Sequence, residues 1–336
     1  MKEKIFILLL ISFSFGLSAL PILTDVFIVQ NDSLEISWKI LRPEEGMKID
    51  LGCFRKTDKK IFSVKEENIS GDFGKLPLKD TFSLKIDLSA LPPDFNPNDY
   101  IIFPKLIFQD RIYYEMERFR GGSYAESEKN NVIEVVSARE FYICKFEVTN
   151  EQFLAFVNAD GYEFQEYWKV DSNLMSRSEI GWFYQAKYRM SLPMDWTFAD
   201  HPYFKNAKSN FIYGPVTNVR WFEANAFCNW MQGQMPDLKQ IKIAFLNSDV
   251  SNDDMFSGIS VFQKGKFPLQ KIRDGVSEWL MSGVDPTSMA CAGCNEMDIL
   301  KNNSLEREDK INLVVKCPLY RAADLGFRFV AIPPKK

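Results

Sequence analysis

Cysteine is the residue type in this sequence with the widest range of possible chemistry, and two of the six cysteines, Cys291 and Cys294, form a C-x-x-C pair. Such a pair can act as a redox dithiol, supply half of a zinc site or close a structural disulfide. The redox form needs a βαβ setting, which the surrounding pattern lacks. The zinc form needs a second pair, and only Cys317 lies near. We therefore favour a structural disulfide or unreactive thiols.

The remaining candidates for chemistry are few. Cys144 and Cys228 lie inside apolar patterns, which is typical of buried thiols. How the cysteines pair is left open by the sequence, because six of them allow many combinations. The one histidine, His201, excludes a histidine-rich metal site and a histidine-based triad within the chain.

The segment 215–245 has the clearest structural pattern in the chain. Apolar residues recur at helical spacing from Trp221 to Met231, after a short segment that we predict to be a strand. We predict that Gly233 ends this helix in a left-handed turn. A second helix follows, in which Asp237 is the cap and Gln240 completes a capping box. Earlier in the chain, Thr149 is predicted to cap a helix, with Gln152 at the reciprocal position.

This segment resembles a known family. Its pattern P-V-x-x-V-x-W-x-x-A-x-x-F-C-x-W, followed by a glycine and a proline before the next helix, is similar to the formylglycine-generating enzyme (sulfatase-modifying factor) family. Motifs similar to those of the family also occur, in the family's order, at 116–124, 140–150, 275–279 and 320–330. The resemblance covers about 111–332 and implies an α+β domain with a variant of the C-type lectin fold.

The resemblance also bears on catalysis. In catalytic relatives, an R-G-G-S element precedes two cysteines that are spaced more widely than Cys291 and Cys294, and these cysteines bind copper and activate oxygen. The segment 289–295 is most similar to the R-G-G-S element itself, so the catalytic pair is not found at the family position. The alternative is a Cu(I) site made by Cys294 with Cys291 or with Cys317, because soft sulfur ligands suit Cu(I).

Two carboxylates fall within family motifs. Relatives hold calcium near the segment that matches 275–279, and the resemblance implies Glu278 and the carbonyl of Val276 as calcium ligands, since a hard cation prefers oxygen. Glu147 could be catalytic, but we favour a role in ordering loops. Arg328, in the closing motif, is predicted to be a buried fork that binds carbonyls or a carboxylate.

The N-terminal third has a different sequence pattern, with a targeting segment followed by β-like segments. Residues 1–19 combine lysines, an apolar run and small residues, which predicts a cleaved signal peptide and a secreted or periplasmic protein. Residues 20–110 contain five β-like segments separated by turns, which predicts a small sandwich of immunoglobulin or fibronectin type. The lectin-like domain then spans 111–332, and a tail follows at 333–336.

Together these features predict an exported, non-catalytic protein that binds a protein or glycan partner, or serves assembly, at the cell envelope. The net charge of −4 argues against binding nucleic acid or anionic membranes. No apolar run in the mature chain is long enough to span a membrane. The alternative function is a copper-dependent oxidase that converts a sulfatase cysteine to formylglycine.

Overall fold

The computed structural model describes residues 20–96, 99–127, 133–175, 178–191, 193, 212–246, 276–285, 288–292, 313–322 and 325–333. Within these ranges the chain forms many short strands and four α-helices. No helix among the described residues combines the length and apolar character needed to cross a membrane.

The first ninety or so described residues form two four-stranded antiparallel sheets. The first sheet has the order β1-β2-β6-β4, with β1 Ile22–Gln30, β2 Ser33–Leu41, β4 Ile69–Gly71 and β6 Thr81–Asp87. The second has the order β5-β3-β7-β8, with β3 Lys48–Arg55, β5 Gly74–Lys75, β7 Tyr100–Phe108 and β8 Arg111–Tyr113. Short 3₁₀ helices lie at Glu66–Asn68 and Leu88–Ala90.

Alternation along the strands explains how the first sheet buries one face. In β2 the residues at every second position are buried, and Trp38 stacks on Phe82 of β6 with ring centroids 5.9 Å apart. The five strands predicted from the sequence between 25 and 108 are all present, which confirms them. The immunoglobulin-like or fibronectin-like grouping and the boundary at 110 stay predictions, and β8 lies just beyond that boundary.

The rest of the chain combines short sheets with helices. A three-stranded sheet has the order β17-β12-β9, with β9 Met116–Phe119, β12 Phe141–Cys144 and β17 Val330–Ala331. The strands β10 Gly122–Ser127 and β11 Ile133–Ala138 pair antiparallel. A four-stranded sheet has the order β15-β14-β13-β16, with β13 Ser277–Asp285, β14 Ser288–Ala292, β15 Leu313–Lys316 and β16 Leu325–Phe327.

Two of the four described α-helices begin at caps that the sequence predicts. The four helices are α1 Asn150–Asn158, α2 Ile180–Tyr188, α3 Trp221–Trp230 and α4 Leu238–Leu246, with a 3₁₀ helix at Gln165–Trp168. Thr149 and Gln152 form the capping box of α1. At α4, the backbone N–H of Gln240 donates to Asp237 at 2.7 Å and the Asp237 N–H donates to Gln240 at 2.9 Å. Both predicted capping boxes are thus confirmed.

Two local predictions around α3 are wrong. The left-handed residue after α3 is Gln232, with φ of 63°. A glycine at 233 fits for another reason, because a Cβ there would lie 2.3 Å from the Phe329 ring. The segment before α3 forms no strand but only an isolated bridge between Thr149 and Pro215. The close approach of Phe329 to Gly233 joins distant segments and is not visible in the sequence.

A buried polar contact joins the N-terminal sheets to the rest of the chain. The Lys105 ammonium on β7 lies 2.9 Å from a carboxylate oxygen of Asp50 and 2.9 Å from one of Glu151 on α1. The Tyr114 hydroxyl donates to the other Glu151 oxygen at 2.6 Å. An apolar cluster that includes Phe103 and Tyr213 lies beside these groups. The contact therefore fixes α1 against β7.

Candidate functional site

The strand register of the C-terminal sheet places the cysteines that could bind copper. Cys291 lies on β14, opposite Trp279 of β13 and Val314 of β15. Cys317 follows β15, three residues beyond Val314, which is on the order of 10 Å along the strand direction. That offset exceeds the roughly 7 Å Cα separation that a disulfide allows. Cys294 lies outside the described residues, so a site formed by Cys294 with either neighbour stays a prediction.

Three other thiols are buried and unreactive by their surroundings. Burial raises the pKa of Cys53 and of Cys144 to about 12, and it raises the pKa of Cys228 well above the ordinary value. The prediction that Cys144 and Cys228 are buried thiols is confirmed. Cys317 is exposed and unpaired among the described cysteines.

These environments predict how the thiols react. With iodoacetamide at mildly alkaline pH, we expect Cys317 to be alkylated rapidly and Cys53, Cys144 and Cys228 only after unfolding. The reactive thiolate is about a thousandfold rarer at a pKa near 12 than at an ordinary value, and burial adds a steric barrier. Peptide mass spectrometry after timed quenching measures each rate, with denatured protein as the control. Rapid alkylation of Cys144 in folded protein would contradict the assignment.

The two carboxylates from the family motifs meet at one buried arginine. Arg328 is fully buried and donates from Nη2 to Glu278 Oε1 at 2.8 Å and from Nε to Glu278 Oε2 at 3.1 Å. Its Nη1 donates to the carbonyl oxygens of Cys144 at 3.0 Å and Lys145 at 2.6 Å. Glu147 lies 3.8 Å from the same guanidinium. The predicted buried fork is confirmed, and Glu147 has the loop-ordering surroundings that we favour.

This pairing bears on the calcium hypothesis. Both carboxylate oxygens of Glu278 accept hydrogen bonds from Arg328, so a cation bound there would lie beside a guanidinium. The side chain of Glu278 in this arrangement therefore does not fit a calcium ion. No group of three or more acidic, histidine or cysteine residues that could hold a metal occurs in the described part of the chain. Calcium at Glu278 and Val276 stays a prediction that rests on the resemblance.

An exposed aromatic and basic surface lies on α2, in the segment 162–210, where the sequence has no clear periodicity and predicts irregular chain. Phe183 is 58% exposed and Tyr188 is 45% exposed. The Lys187 ammonium lies over both rings, 5.8 Å from the Phe183 centroid and 5.3 Å from that of Tyr188. Arg189, at the left-handed end of α2, is also exposed. We call these four residues the α2 surface.

Other residues of α2 are firmly packed against neighbouring elements. Gly181 lies so close to the 3₁₀ helix that a Cβ there would be 2.2 Å from the carbonyl oxygen of Trp168. Tyr184 packs on Phe222 of α3, with ring centroids 5.2 Å apart. Consecutive aromatic residues in 182–184 hide the helical period, which is why the sequence pattern misses α2. His201 lies outside the described residues.

Comparisons with known proteins agree with the resemblance. The family model described as "Sulfatase-modifying factor enzyme 1-like domain" matches residues 109–279. Hercynine oxygenase from Mycolicibacterium thermoresistibile is 27% identical over 103 residues, which cover 30% of this chain and 21% of the relative. The chain thus matches about a fifth of the length of that curated relative.

Two solved structures are similar at low sequence identity. The crystal structure of CarF matches with a TM-score of 0.37 and 16% identity, covering 66% of this chain and 98% of that one. Treponema denticola variable protein 1 matches with a TM-score of 0.42 and 12% identity, covering 72% of this chain and 100% of that one.

Because the family model covers half of the sequence, the class of the protein is defined: the chain belongs to the sulfatase-modifying factor (formylglycine-generating enzyme) domain family. Its many short strands and few helices are compatible with the fold of that family.

Proposed function

We propose that this protein is an exported, non-catalytic binding or assembly protein that uses its family domain to present the α2 surface to a partner at the cell envelope. The N-terminal sheets act as a sandwich of immunoglobulin or fibronectin type that carries this domain. The observation behind the proposal is the exposure of Phe183 and Tyr188 on a helix that Gly181 and Tyr184 hold in place.

The composition of the α2 surface is that of an interaction site. Aromatic and arginine side chains are enriched in the parts of protein interfaces that contribute most binding energy. Phe183, Tyr188 and Arg189 lie within two turns of one helix. Because Gly181 and Tyr184 hold that helix in place, little ordering is needed when a partner binds.

The second candidate function is a copper-dependent oxidase that converts a sulfatase cysteine to formylglycine. Two observations favour it: a curated relative is named an oxygenase, and Cys291 lies on β14, three residues before Cys294 in the sequence. Such an enzyme needs a pair of adjacent, accessible thiolates for Cu(I).

A Cu(I) titration of the reduced protein separates the two functions. With a chromogenic Cu(I) chelator as competitor under anaerobic conditions, the binding-protein proposal expects the wild-type chain and a Cys291→Ser/Cys294→Ser variant to retain the same small amount of copper. A Cys317→Ser variant serves as the matched control, and it also reports any site that includes Cys317. Stoichiometric Cu(I) retained by the wild type and lost in the double variant would favour the oxidase and overturn the proposal.

A further inference from the structure

A second surface of complementary character lies at the edge of the N-terminal sheets. It is an open groove of about 660 Å³ between the β2–β3 connection and the β7–β8 turn, and Glu44, Glu45, Leu78 and Phe108 are among its lining residues. Leu78 is 59% exposed, Glu45 is exposed, and Phe108 is buried. The residues that line the groove include two carboxylates and no cation. We call this feature the acidic groove.

The α2 surface and the acidic groove match in charge and in polarity. Each one presents a large exposed apolar side chain, Phe183 in the first and Leu78 in the second, beside two charges of one sign. In the described part of the chain, no ion pair joins Lys187 or Arg189 to a carboxylate. The Lys187 ammonium lies over two rings, which places its charge beside the exposed apolar surface. A carboxylate from outside is what this arrangement can receive.

We propose that the α2 surface of one copy of this chain docks in the acidic groove of a second copy. This inference rests on the proposed binding or assembly function and names its partner. The contact joins two different surfaces, so it is heterologous: each docked copy still offers one unused α2 surface and one unused groove. Repetition of the contact builds an open filament, or a ring where the rotation closes.

The net charge of the chain supports a specific, local contact. A chain with a net charge of −4 is not attracted to its own copies by its overall charge, so association has to come from local contacts between opposite charges. The α2 surface and the acidic groove offer such a contact. The assembly should therefore be sensitive to ionic strength, because exposed charges are screened within about 10 Å at 0.1 M salt.

Sedimentation velocity on the full mature chain, and on variants in which charges of either surface are reversed, tests the proposal. We expect the wild type to show a weight-average mass that rises with concentration at low ionic strength and falls on addition of NaCl. Lys187→Glu/Arg189→Glu and Glu44→Lys/Glu45→Lys should each weaken association by about tenfold or more, because like charges then face each other. Lys60→Glu/Lys65→Glu, a reversal of two exposed charges elsewhere, is the matched control and should associate as the wild type does.

Mixing the two charge variants gives the decisive result. In an equimolar mixture the acidic α2 surface of one variant faces the basic groove of the other, and the two unaltered surfaces also match, so association should return to the wild-type level. Phe183→Ala and Leu78→Ala, which leave all charges in place, should weaken it as well. A wild type that is monomeric at all concentrations, or a mixture that fails to associate, would overturn the inference. Neither outcome bears on the copper titration, which separates the binding function from the oxidase.

Discussion

Replacement of Arg328 by methionine is expected to lower the free energy of unfolding by about 3–5 kcal/mol. The guanidinium is fully buried and holds both oxygens of Glu278, which is only 1% exposed, and it also pairs with Glu147. Methionine keeps much of the volume but leaves two buried carboxylates without their cation. It also leaves two backbone carbonyls without a donor. Chemical denaturation followed by tryptophan fluorescence measures the change.

The matched control for this prediction is Arg118→Met. Arg118 makes a pair of similar length with Glu140, at 2.7 Å, but its side chain is 50% exposed. An exposed pair contributes about 1 kcal/mol or less. The difference between the two variants thus isolates the effect of burial.

A double variant separates the ion pair from simple loss of packing. If unpaired charge causes most of the loss, Arg328→Met/Glu278→Gln should be less destabilised than the sum of the two single variants, with a coupling of about 1–3 kcal/mol. Two results would show that this cluster does not hold β13 and β16 to the loop after β12. One is that the two single losses in the free energy of unfolding add strictly, and the other is that Arg328→Met loses no more than Arg118→Met.

The Arg328 cluster also shows how far the sequence predicts this molecule. The buried fork is predicted from the closing motif, since arginine in an apolar strand needs a carboxylate or carbonyls. The partner is not predicted: Glu278 lies fifty positions away, and its type alone suits a calcium ion as well as a guanidinium. The choice between these ligands depends on a contact between distant segments, which local pattern does not contain.

Features that depend on neighbouring residues are predicted from the sequence, and features that depend on contacts between distant segments are not. The capping boxes at Thr149 and Asp237 are local in sequence, and both are confirmed. The α2 surface was missed because its exposure depends on which side of the helix meets Trp168 and Phe222. The acidic groove combines the turns at 43–46 and 108–109 with Leu78, so it exists only once the sheets have formed.

Replacement of Phe227 by alanine is the second change expected to have a large effect, a loss of about 3–5 kcal/mol in the free energy of unfolding. Phe227 on α3 is fully buried and stacks on Phe153 of α1 with centroids 5.5 Å apart. It also meets Phe327 of β16 at 5.4 Å, edge to face. Truncation therefore removes contacts that join two helices to the C-terminal sheet and leaves a cavity that stiff aromatic neighbours cannot fill.

Phe183→Ala removes the same side-chain atoms from an exposed position and should change stability by no more than about 0.5 kcal/mol. Denaturation of both variants at a protein concentration too low for association makes the comparison clean, because the α2 surface then has no partner to lose. A large loss in Phe183→Ala under those conditions would mean that α2 needs its outer aromatic residue to fold. In that case the α2 surface would be part of the core and could not serve as a docking site. A large loss in Phe227→Ala alone would mean that the buried aromatic residues stabilise the domain, while the exposed aromatic residues of α2 remain available for binding.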